Sequence, residues 1–186
     1  MKKLFKALAV ASVMVSSSVF ANSPAMFSTL DGTNLPEQSA VGGVRFSVLH
    51  GQVNEVKGID ISALGLSESD RTTGLNLGIF FGASKVNQEM KGVSFSALNW
   101  NEGQATGLNL GFVNLTNNVK GLNLSAVNFS EGHTMADVGF FSLSAKSNFQ
   151  LGFVNVTDHI DGVQIGLVNC AENGFFKCFP LVNFAK

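Results

Sequence analysis

The chain has no tyrosine, one tryptophan, two cysteines, three prolines and three histidines in 186 residues. Charged residues make up 13% and nearly cancel, leaving a net charge of −1. Each scarcity excludes something. A near-neutral chain has no basic footprint for nucleic acid. A chain without tyrosine and with only Trp100 lacks the aromatic girdles of outer-membrane barrels. No apolar run beyond the first 21 residues is long enough to cross a bilayer as a helix. The two cysteines, Cys170 and Cys178, are too far apart for a redox Cys-x-x-Cys. His50, His133 and His159 form no spaced ligand pair, and no Gly-x-Ser-x-Gly elbow occurs. These absences point to a protein that is not an enzyme and needs no metal or cofactor.

What is present begins with an address. Lys2, Lys3 and Lys6 precede an apolar stretch from Ala7 to about Val15, and Val19-Phe20-Ala21 offers a cleavage site. Residues 1–21 therefore read as a bacterial secretory signal peptide. Removing them takes away three of the twelve basic residues and none of the thirteen acidic ones, so the mature chain of 165 residues carries −4. The expected location is the periplasm, outer membrane or cell surface. Residues 22–42 show no clear pattern and read as a loose segment or cap.

Residues 43–186 read as a single repeat domain with a C-terminal cap. The clearest copies of the repeat are Gly107–Leu115, Gly121–Phe129 and Gly162–Cys170, and weaker ones begin at Gly43, Gly58, Gly74, Gly92, Asp137, Asn148 and Phe176. Numbered from the first residue of each unit, positions 4 and 7 are apolar in all ten copies. Position 5 is mostly Gly or Ser, and position 8 is Asn in six (Asn99, Asn114, Asn128, Asn155, Asn169 and Asn183).

Positions 2 and 4 share a strand face, as do 7 and 9, but the step from 4 to 7 is odd. A corner at position 5 would let both pairs point into one interior. This predicts an all-β protein, a β-solenoid of about ten short coils, with the first-position glycines supplying φ > 0 at another corner. The alternative is an antiparallel outer-membrane β-barrel with a pore or anchoring role.

The units resemble those of exported bacterial surface-repeat proteins with short Gly-Leu-Gln-Ile-Gly-Leu-Val-Asn-type repeats. Gly107–Asn114, Gly121–Asn128, Gly162–Asn169 and the ending Asn173–Phe184 carry the likeness. The resemblance implies export and a repeat fold, and it supplies no catalytic residues.

Three features remain as candidate sites. Cys170 and Cys178 suit a disulfide in an exported chain, with two separate thiols as the alternative. Position 3 gives a polar ladder that includes Asn76, Asn109, Asn123, Gln150 and Gln164, expected on the surface, where it could meet a glycan. Position 6, with Ile79, Phe112, Phe153, Leu167 and Leu181, forms either an apolar contact ridge or part of the core.

The expected function is a non-enzymatic structural or binding module at the cell envelope. Its partner would be an envelope protein, a glycan or a membrane surface, with self-association possible. A polysaccharide-acting β-helix enzyme using acids such as Glu55, Asp60, Glu68, Asp70 or Glu89 is a weaker reading.

Overall fold

The computed structural model describes residues 22–29 and 33–186, so the leader expected at residues 1–21 lies outside the described residues. Among the described residues seven strands are formed: β1 (Ser23–Ser28), β2 (Asn34–Leu35), β3 (Ala40–Ser47), β4 (His50–Ser62), β5 (Leu66–Gly78), β6 (Ala83–Ala171) and β7 (Cys178–Phe184). They make one sheet in the order β2-β1-β3-β4-β5-β6-β7.

The sheet winds into a β-solenoid. β1 pairs in parallel with β3, β3 with β4, β4 with β5 and β5 with β6, which makes about four turns by strand pairing. The repeat sets the register, with Gly58 beside Gly74 and Gly74 beside Gly92. Only β2 and β7 pair antiparallel, one at each end. A parallel winding of this kind is not a barrel, whose neighbouring strands alternate in direction.

The 89-residue β6 bends repeatedly and brings like positions together. Asn99 donates to Asn114 at 2.8 Å, Asn114 to Asn128 at 3.0 Å, and Asn155 to Asn169 at 2.8 Å. The first-position glycines take φ of +128° at Gly107 and +154° at Gly121, as a corner requires.

The structure corrects the expected polarity of the wall. Positions 2, 4, 7 and 9 were expected to fill the interior, but they face outward. The interior is lined by polar position 3 and position 8 side chains. Asn76, Asn109, Asn123, Gln150 and Gln164 are all buried, so the polar ladder is no surface stripe.

The physical reason lies in parallel stacking. Turns about 4.8 Å apart place like on like, and a carboxamide both donates and accepts. A column of Asn therefore satisfies itself without water. Asn109 donates to Asn123 at 2.8 Å, and Gln164 donates to Gln150 at 2.7 Å. Spare amide hydrogens go to corner carbonyls, such as that from Asn99 to Leu110 O at 2.9 Å. Fully paired, such groups cost little to bury. Apolar burial is confined to small patches, one with Met26, Val41, Val53 and Val56, and another with Val86, Met90, Ala105 and Val119.

Three finer expectations also change. Asp137 does not start a unit. It takes position 3, accepting from Asn123 Nδ2 at 2.9 Å, so that unit begins at Met135. The count of ten coils is not confirmed, because the segment read as a tenth unit from Phe176 returns antiparallel as β7, with Asn183 beside Gln164. The patternless 22–42 segment contains β1, which lies on the first unit with Phe27 beside Phe46.

Candidate interaction surface

With the register corrected, positions 2, 4, 6, 7 and 9 of the five units from Gly107 to Cys170 hold twenty-five residues. All are apolar and none is buried. Positions 5 and 8 point inward between them, so consecutive residues 6 and 7 both turn outward at a corner. The ridge residues Ile79, Phe112, Phe153, Leu167 and Leu181 are exposed, which decides between the two readings of position 6. Phe140 belongs to the same ridge and stacks on Phe153 at 5.1 Å between ring centroids. Sequence reasoning missed it because the unit was started two residues late. The 14-residue step from Asn123 to Asp137 was the available signal.

Between the position 4 wall and the position 6 ridge runs an apolar groove of about 670 Å³. Its floor is backbone at position 5, at Gly111, Ser125, Gly139, Gly152 and Gly166. A Cβ on Gly152 would overlap the Gly139 carbonyl oxygen, and one on Gly166 would overlap that of Gly152. A Cβ at position 5 turns inward toward the Asn column, as that of buried Ser125 does, so the outer face of the floor is bare backbone.

Charge is segregated to the remaining side. Between Gly43 and Ala171, the Asp, Glu, Lys and Arg side chains outside the interior all follow position 9 of their units. They pair along that edge, with Lys85 between Glu68 at 3.2 Å and Glu102 at 3.4 Å, and Lys146 against Asp161 at 3.0 Å. Partial burial works against the Glu68 carboxylate, but hydrogen bonds from Asn87 and Lys85 outweigh it and hold its pKa below the usual value. Desolvation likewise opposes the charge on Lys85, yet Glu68 and Glu102 hold its pKa above the usual value. Lys85 also lies 4.8 Å from the Trp100 ring centre.

Three ionisable side chains, Arg45, Asp60 and Asp137, sit inside the solenoid among the described residues. Arg45 donates to Asp60 at 2.9 Å, and Ser67 donates to Asp60 at 2.6 Å. Asp60 is thus the inner partner of an ion pair, while Glu55, Glu68, Asp70 and Glu89 lie along the charged side. Asp137 continues the position 3 ladder. Burial pushes its pKa up, against hydrogen bonds from Thr134, Asn123, Gln150 and Ser147.

Cys170 and Cys178 are joined as a disulfide that ties β7 to the end of β6. His133 and His159 lie on the charged side, where His133 meets Asn148 at 2.6 Å and His159 meets Asp161 at 3.3 Å.

The arrangement offers a long apolar exterior, a paired charged edge and a sealed polar interior. The chain matches no protein-family model, no curated protein and no solved structure.

Proposed function

We propose that this is a non-enzymatic exported repeat protein, a structural or binding module at the bacterial cell envelope, held in place through its apolar sides. The observation that carries this reading is the run of twenty-five outward apolar residues from Leu108 to Cys170. Single exposed leucines are ordinary, but a continuous apolar wall marks a contact surface. The Lys-led leader supports export, and the resemblance to surface-repeat proteins supports the envelope. Like-on-like contacts at separations of 13–18 residues support nine parallel turns over 43–171, followed by the antiparallel β7.

Fractionation of the producing cell tests this. The chain is expected in the envelope without residues 1–21, resisting carbonate extraction and released by detergent. Recovery in the cytoplasm with the leader intact, or release by carbonate alone, overturns the proposal.

A further inference from the structure

The apolar groove and the ridge beside it have the same period. Both are set by the hydrogen bonds that stack one turn on the next, about 4.8 Å per step. The ridge of Phe112, Phe140, Phe153 and Leu167 stands on one side of the glycine floor, and the wall of Phe95, Leu124, Leu151 and Ile165 on the other. We infer that the occupant of this groove is a second copy of the chain, packed antiparallel about a two-fold axis. Each copy's Phe ridge then lies in the other's glycine-floored groove. The inference rests on the reading of the apolar sides as contact surfaces and names the partner for one of them.

Matched spacing is what makes a second copy fit. A ridge in step with its own groove is in step with the identical groove of a twin. A partner of unrelated fold would have no reason to share that step.

Area agrees. The eight wall and ridge residues are 39–71% exposed. At about 150–250 Å² for a large apolar side chain, they present on the order of 600–1,000 Å². A stable standard interface needs about 800 Å² per partner, and the bare floor adds to the total.

Electrostatics raises no objection. From Gly107 to Cys170 the outward positions 2 to 9 carry no charge, so the approaching copies meet no like charges there. The ion-paired edge follows position 9 and remains for solvent.

Analytical ultracentrifugation of the purified chain over a wide concentration range tests the inference. A dimer of twice the chain mass is expected. The double variant Phe140→Asp/Phe153→Asp is expected to sediment as a monomer, or to dissociate at least tenfold more readily, with an unchanged circular dichroism spectrum. Val156→Asp, at position 9 beyond the corner, is expected to leave the dimer intact.

A wild-type chain that is monomeric throughout overturns the inference. So does a dimer untouched by the double substitution, or higher aggregates equally sensitive to Val156→Asp. A monomer that still stays in the envelope until detergent is added overturns the dimer alone and leaves the envelope role standing. Should the double variant fail to fold, Leu167→Asp offers the same reading from a single ridge position.

Discussion

At the scale of single residues, the amide columns define what the interior tolerates. Position 8 runs Asn99, Asn114, Asn128, Ser142, Asn155, Asn169. Asn99 donates to Asn114 and Asn114 to Asn128, and the column's bonds stop there, where Ser142 replaces the next Asn. The buried Ser142 hydroxyl and the Asn155 Oδ1 both lack a partner. An Asn at 142 would accept from Asn128 and donate to Asn155 in the same sense as the rest of the column. Ser142→Asn is therefore expected to raise stability by about 1–2 kcal/mol, seen as a higher midpoint in urea.

Asp137 makes the opposite argument. Its pKa is raised in the fold, so the protonated form is the one the interior favours. The stability linked to it is full below the unfolded value near 3.8 and is lost as pH rises through the raised value. Asp137→Asn keeps the ladder and removes the charge. It is expected to raise the melting temperature by about 2–4 °C near pH 7, with the gain shrinking as pH falls toward 4. A gain independent of pH would mean that the carboxylate is not the source of the cost.

At the scale of elements, the first-position glycines and the terminal strand decide where the stack turns and stops. Gly121 has φ of +154°, and a Cβ there would overlap the Gly107 carbonyl oxygen. Relief would require the two turns to part and break their ladder. Gly121→Ala is expected to cost more than about 3 kcal/mol, well beyond the usual penalty for a loop glycine, measured by thermal or urea unfolding. At the far end, β7 occupies the edge that another parallel turn would use. The disulfide closes a short loop and holds that edge strand down, which blunts open-ended stacking of chains.

The end strand also marks a limit of what the pattern could say. Phe176–Phe184 carries the repeat's apolar spacing, and only the bonding direction distinguishes a further turn from a returning strand. β1 was missed for a related reason. One six-residue strand from Ser23 to Ser28 contains no repeat of its own and becomes legible only when it lies on β3.

At the scale of the whole molecule, the solenoid reverses the usual placement of polarity. Asn123, inside, holds Asn109, Thr116 and Asp137 together. Leu124, one residue on, faces outward. Asn123→Leu is expected to cost about 3–5 kcal/mol, because it leaves several buried polar groups unpaired. Leu124→Ser is expected to cost less than about 1 kcal/mol in the folded monomer. Comparing the two by chemical denaturation checks the polarity directly, since an apolar interior would reverse the order.

The period, the need for a corner between positions 4 and 7, the positive φ of the first glycines and the solenoid itself are local consequences of the chain's spelling and could be read from it, although the corner falls at positions 6 and 7 rather than at position 5. A repeat of 13 to 18 residues with alternating apolar positions must put like on like, and glycine must stand where backbones nearly touch. Which face turned inward could not be read. Alternation gives two faces without labelling them, and the habit of burying leucine chooses the wrong one. Only stacking in three dimensions lets each Asn find its own kind above and below. That makes an amide interior inexpensive and leaves the leucines and phenylalanines outside.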